Sequence, residues 1–346
     1  AARRHDREAL GRLRPASPVL FVMLHSWSCV CGMPPVSRAE AWQGCEFEVL
    51  MMDDRPWRRL SPRTAPYWGS GAVINYAYAA RHGYRFRLVR PVRRSKEGPF
   101  HSGWNRAMYL TELLRHSAAH AAESPRGSCW WMLYLDTDAW VREQDATIPD
   151  FLARLSRYSH ARHAVPDAAR VDVRRSFPSL VIAQEQSVRV NATTNALHLN
   201  TGAFLVNLGA PPRSAPPALR VFDAWLAAAA ALAVDRPLEV FAFPAEQGVL
   251  SELVRPTSYP SARPPKEIRL AARGLRHSVL VVNMTELNSP WGRFVEHWWG
   301  EAHPKFREAA LEGAMLRLGL GDSAAFRGFA AEIRRRTFEW HVWPSF

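Results

Sequence analysis

The stretch Trp130-Trp131-Met132-Leu133-Tyr134-Leu135-Asp136-Thr137-Asp138-Ala139-Trp140-Val141 runs apolar, breaks on two aspartates one residue apart, and turns apolar again. A short apolar run this rich in aromatics predicts a buried strand. Burying Asp136 and Asp138 without partners would cost several kcal/mol each, which places them at the strand's carboxyl end, facing a cleft. Two carboxylates converging there suit a hard divalent cation, Mg²⁺ or Mn²⁺. A cation held by few carboxylates completes its shell with substrate phosphates, which points to a phosphate-bearing ligand. Read alone, the same spacing also fits a strand-end turn whose aspartates cap a helix or bind backbone amides.

Outward from this stretch, strand and helix signals alternate. Val19 to Leu24 predicts a first strand, apolar throughout as in a sheet covered on both faces, and Phe47 to Met52 a second. A helix is predicted over 72–82 with Gly83 as its stop, then a strand over 84–89. A second helix over 104–116 sets Met108, Leu110, Leu113 and Leu114 at core-facing spacing. Such alternation over the first 140 residues argues for an α/β protein with a mainly parallel sheet built from crossover units and flanked by helices. Further strands are predicted at 180–183, 203–206 and 279–282, an Ala-rich helix at 218–234, and amphipathic helices at 302–318 and 322–336. Residues 53–70 mix Pro, Arg and Trp irregularly and read as a surface loop. Residues 1–17 are a basic lead-in, and 18–346 form a single domain without internal repeat or linker.

The composition of the 346 residues, 47% hydrophobic and 22% charged, is that of a folded globular chain and not a disordered one. A formal charge of +13 calls for an anionic partner or surface: nucleic acid, an acidic membrane face or a nucleotide diphosphate. The arginines are scattered, and neither paired zinc-ligand spacing nor a basic helix feeding heptads is present, so no nucleic-acid module is recognised. Cys29, Cys31, Cys45 and Cys129 allow one or two disulfides without fixing the pairing. Asn191 and Asn283 head N-glycosylation tripeptides, which matter only in a secreted chain. No run of eighteen apolar residues is present. The chain begins at Ala1-Ala2-Arg3-Arg4, which leaves room for an anchor or signal upstream.

Four other segments carry candidate chemistry. Asn200-Thr201-Gly202 leads into the strand at 203–206, so the backbone can approach a ligand at Gly202 while Asn200 and Thr201 hydrogen-bond it. Glu246-Gln247 opens a helix, where the pair either caps or faces a cleft. His297, set among aromatics, offers an imidazole to a carboxylate metal site. Gly103 before a helix start, with Arg106 one turn in, offers amide donors and a guanidinium to an anion. Each segment also has a bland reading as a turn, a cap or a surface residue.

Taken in order, these segments resemble the family 34 glycosyltransferases, the galactosyl-, xylosyl- and mannosyltransferase group of Golgi enzymes with a GT-A fold. Asn75 to Tyr84 is similar to that group's helix ending in His-Gly-Tyr, and Trp104-Asn105-Arg106 to its Trp-x-Lys. Leu133 to Val141 is similar to its Asp-x-Asp strand, Asn200-Thr201-Gly202 to its Asn-Thr-Gly, and Glu246-Gln247 to its acidic-Gln pair. The likeness covers roughly residues 72–300. It implies a GT-A, Rossmann-like domain with residues 1–17 as a stem remnant, sited in the Golgi lumen as the catalytic part of a type II membrane protein.

By that resemblance Asp136, Asp138 and His297 would hold Mn²⁺ or Mg²⁺. Asp136, Arg106, Thr201 and Gly202 would bind the nucleotide-diphosphate sugar, and Glu246, Gln247 and Asn200 would serve the transfer of a hexose or pentose to a glycan acceptor, with retention. Two readings compete. One is a non-catalytic basic protein binding a polyanion or glycan. The other is a haloacid-dehalogenase-type phosphatase, which would place Thr or Val where Trp140 stands and the aspartates after the first strand.

Overall fold

Apolar residues that alternate across two buried faces build the centre of the protein. In a computed structural model the described residues are 42, 44–55, 61, 65–93, 103–120, 129–162, 177–185, 199–209, 215–235, 245–254, 265–298 and 304–342. All fall within the unit Ser37–Phe346. The strand expected at 19–24, the boundary at residue 17, Cys29, Cys31 and Asn191 lie outside them.

Numbered along the chain, the strands are β1 (Glu46–Met52), β2 (Arg85–Arg93), β3 (Trp130–Leu135), β4 (Ala139–Val141), β5 (Leu180–Gln184), β6 (Leu199–Asn207), β7 (Val279–Val282), β8 (Val295–His297) and β9 (Phe338–Val342). Seven of them form one sheet in the order β7-β5-β6-β3-β1-β2-β9. Strand β6 runs antiparallel to β3 and β5, and every other pairing in the sheet is parallel. Strands β4 and β8 form a separate antiparallel ribbon. The expected α/β architecture is therefore present, Rossmann-like, mainly parallel and consistent with a GT-A arrangement.

The helices are α1 (Tyr67–Arg81), α2 (Trp104–His120), α3 (Ile148–Arg162), α4 (Pro217–Asp235), α5 (Ala245–Val254), α6 (Lys266–Ala271), α7 (Met284–Leu287), α8 (Pro304–Arg317) and α9 (Ser323–Arg336). Strand periodicity sends Val49 and Met51 of β1 to one face of the sheet, among Val73 and Ile74 of α1 and Phe326 and Ile333 of α9. Leu50 and Met52 face the other way, among Leu110 and Leu114 of α2, Phe222 and Trp225 of α4, and Val249 of α5. Each such fully buried side chain contributes about 1.5–3 kcal/mol, so the two apolar layers hold the sheet between them.

Several details differ from the sequence expectations. Helix α1 starts at Tyr67 rather than residue 72: Gly69, Ser70 and Gly71 are poor helix formers, which hides its first turns in the sequence, yet they are buried there. A Cβ on Gly71 would stand 3.0 Å from the Thr137 carbonyl oxygen, so the glycine lets α1 lie against the Asp136–Asp138 turn. Gly83, at φ 68°, ends the helix as expected. Helix α4 is long and apolar enough to cross a membrane by length and composition, but Val221, Phe222, Trp225, Ala228, Ala229 and Leu232 are buried in the core. It is a core helix here. Cys45 and Cys129 form a disulfide that ties the chain before β1 to the chain before β3, and so settles one pairing that four cysteines left open.

Candidate metal centre and its cavity

Strand β3 ends where its parallel neighbour β1 ends, so the turn after Leu135 opens at the carboxyl edge of the sheet, as strand-end placement requires. Asp136 and Asp138 sit on that turn. The chain then enters β4, whose partner β8 ends in His297, with Ala139 paired to His297. This pairing brings together residues 159 positions apart: His297 Nε2 lies 3.2 Å from Asp138 Oδ1. One ligand atom from each of Asp136, Asp138 and His297 lies within 4.8 Å of the other two. Two carboxylates and an imidazole suit Mn²⁺ or Mg²⁺, and the residues present fit such an ion.

Charge and burial shape each member. Tyr134 donates its hydroxyl to Asp136 Oδ1 at 2.7 Å, and Arg106 Nη1 reaches Asp136 Oδ2 at 3.1 Å. Burial raises the Asp136 pKa, against the pull of Arg106 and His297. Asp138, although burial works against it, is held below the usual carboxylate range by His297. Burial alone would lower the His297 pKa, but Asp138 raises it above the ordinary imidazole value. His297 Nδ1 meets Asn288 Oδ1 at 3.0 Å. A Cβ on Gly202 would fall on the His297 ring, so the glycine of Asn-Thr-Gly is required by the imidazole.

The other expected residues gather around this centre. Arg106, from the first turn of α2, donates to the Thr201 carbonyl at 2.6 Å and comes within 4.0 Å of Glu246. Burial would lower the Arg106 pKa, but Asp136, Tyr134 and Glu246 raise it, so its positive charge is secure. Gln247 Oε1 accepts from the Thr201 amide at 2.9 Å, and Asn200 Oδ1 from the Gly202 amide at 2.8 Å. Asn200, Thr201 and Gly202 lie inside β6, which begins at Leu199, and not on a turn before it. The side chains of Gln247 and Asn200 replace regular pairing partners there, which is why so polar a segment continues a buried strand. The Glu246 carboxylate lies against Gly103, where a side chain would displace it, and its buried Oε2 has no hydrogen-bond partner among the described residues.

Beside the centre is a cavity of about 440 Å³ whose lining includes Asp53, Arg55, Arg106, Asp136, Asp138 and Glu246. Among the described residues, Asn200, Thr201, Gly202, Gln247 and His297 are not part of this lining.

Comparison with known proteins adds little. No family model matches the chain, and no curated protein matches it. A solved structure described as a glycosyltransferase involved in the glycosylation of the major capsid of PBCV-1 aligns over 77% of this chain and 99% of that chain, at 15% identity and a TM-score of 0.45. A likeness of that degree carries no weight for activity.

Sequence reading passed over several residues at this site. Asp53 and Arg55, assigned to a surface loop, form a two-pronged pair, with Arg55 Nε 2.8 Å from Asp53 Oδ1 and Nη2 2.7 Å from Oδ2. Arg55 also donates to Thr137 Oγ1 at 2.9 Å and stands over the Trp68 ring. The signal was present, since Met51-Met52-Asp53-Asp54 is another apolar strand ending in acids. Arg307 of α8 stacks on Tyr67, which also lines the cavity, and helps hold Asp138 ionised. Glu185, just after β5, has its pKa raised by burial and by Glu246, with His297 opposing. Nothing in the local sequence marks Asn288, Arg307 or Glu185.

Proposed function

We propose that the protein is a metal-dependent glycosyltransferase that moves a hexose or pentose from a nucleotide-diphosphate sugar to a glycan acceptor with retention. The observation that carries this reading is the convergence of Asp136, Asp138 and His297 within 4.8 Å beside an open cavity at the sheet's carboxyl edge. When bound, Mn²⁺ or Mg²⁺ supplies positive charge opposite the departing nucleoside diphosphate, with no proton transfer needed. Arg106, kept cationic and fixed by Asp136 and the Thr201 carbonyl, adds a directed guanidinium for donor oxygens. Glu246 is the carboxylate we assign to the transferring sugar, where its Oε2, without a partner among the described residues, can accept from a hydroxyl or offset developing positive charge. Gln247 and Asn200 act in this reading through β6, holding the Thr201 and Gly202 backbone against the centre.

We also place the domain in the Golgi lumen. The Cys45–Cys129 disulfide supports an oxidising compartment, and Asn283 heads an exposed glycosylation tripeptide.

The reading is tested by screening UDP- and GDP-sugars for Mn²⁺-dependent hydrolysis. Wild type should cleave at least one donor, and Asp138→Ala should abolish that cleavage while far-UV circular dichroism stays unchanged. Full activity in the variant would remove Asp138 from the metal site. Salt-sensitive binding of polyanions with no donor cleaved would favour the basic binding protein instead.

A further inference from the structure

We propose that Asn288 is the positioning residue of the centre, holding the imidazole of His297 in the one tautomer and orientation that aims Nε2 at a bound ion. The inference rests on the ion-binding reading above. Asn288 closes the short helix α7 and is fully buried. Its Nδ2 donates to two carbonyl oxygens of β6, those of Asn200 and Ala203, at 3.2 Å each. Two acceptors on that side fix which end of the amide is the NH₂ group, so Oδ1 is the end turned to His297. An amide oxygen can only accept. At 3.0 Å it therefore requires the proton on Nδ1, so Nε2 is the nitrogen left to donate to Asp138 when the ring is protonated, or to give its lone pair to an ion when the ring is neutral.

Nε2 is the atom that faces Asp138. Gly202 lies against the ring, so the imidazole cannot rotate freely to exchange its nitrogens. From the end of α7, Asn288 thus joins two parts of the site, β6 and β8, through one side chain. Outer partners of this kind typically alter ion affinity by about 10–100-fold when removed.

The test separates positioning from structural support. Asn288→Leu removes both the acceptor for Nδ1 and the donors to β6. Asn288→Asp replaces the donors by a second oxygen and adds a negative charge, but keeps an acceptor facing Nδ1. Both variants should unfold at lower denaturant than wild type, since both lose the two carbonyl bonds. Mn²⁺ titration of the metal-free proteins, read by electron paramagnetic resonance without any substrate, should part them. Asn288→Leu should bind roughly 10–100-fold more weakly, and Asn288→Asp at or above wild-type affinity, since its carboxylate still accepts from Nδ1.

Equal Mn²⁺ affinity in wild type and Asn288→Leu would overturn the proposal, as would equal losses in the two variants. If Asn288→Leu does not fold, long-range ¹H–¹⁵N spectra of Mg²⁺-loaded wild type decide. The His297 signal should be that of the Nδ1–H tautomer, and an Nε2–H signal would overturn the assignment. Wild type that binds no Mn²⁺ would instead overturn the ion reading and this inference with it.

Discussion

Gly202 carries no side chain, and the His297 ring fills the space a Cβ would need. Gly202→Ala should therefore push the imidazole off Asp138 or distort β6. The expected result is a stability loss of about 1–3 kcal/mol in urea unfolding, together with weakened Mn²⁺ binding. Normal affinity in a stable variant would show that the ring has another place to go. Glu246 poses the opposite case. Its buried Oε2 has no hydrogen-bond partner among the described residues, so the carboxylate costs stability unless a ligand satisfies it. Glu246→Gln keeps the shape and removes the charge. We expect a thermal midpoint at or above wild type and donor cleavage lower by about a hundredfold, measured on one preparation. A variant with unchanged cleavage would exclude Glu246 from the transfer.

At the scale of elements, the Cys45–Cys129 bond sits at the amino ends of β1 and β3, while the centre lies at their carboxyl ends. Replacing both cysteines by Ser should cost about 2–4 kcal/mol in chemical unfolding, because the bond closes an 84-residue separation in the unfolded chain. Mn²⁺ affinity should not change, and a large drop would mean that strand alignment reaches the centre through the disulfide. The elements most legible in the sequence were those with a continuous apolar signal. Trp130 to Leu135 reads as a strand because all six residues are apolar or aromatic, and it ends at the aspartates as expected. The three-residue strands β4 and β8 are too short for any period to show, and their pairing depends on contacts far apart in the chain. Asn200-Thr201-Gly202 was misplaced because side chains from other positions, Gln247 above all, satisfy its backbone. His297 could be suspected from its residue type alone. Asn288 became visible only once β6 and β8 were neighbours.

Across the whole molecule, the formal charge is +13. Among the described residues, several arginines pair on the surface, Arg85 with Glu46 and Arg115 with Asp223 at 2.7 Å each, and such exposed pairs contribute little to stability. At the cavity, Arg55 and Arg106 are instead fixed by Asp53 and Asp136, so the site offers oriented cations rather than a diffuse field. The ribbon of β4 and β8 has a different consequence, one that concerns time. Its two halves come from segments separated by well over a hundred residues, and closing so wide a loop carries an entropic cost that local helices and adjacent strands avoid. During refolding from denaturant, ellipticity should recover first and Mn²⁺ capture should trail it, as stopped-flow mixing with a metal-sensitive probe would record. Simultaneous recovery would mean that this distant pairing belongs to the folding nucleus, and that the chain shapes its ion-binding corner from the outset.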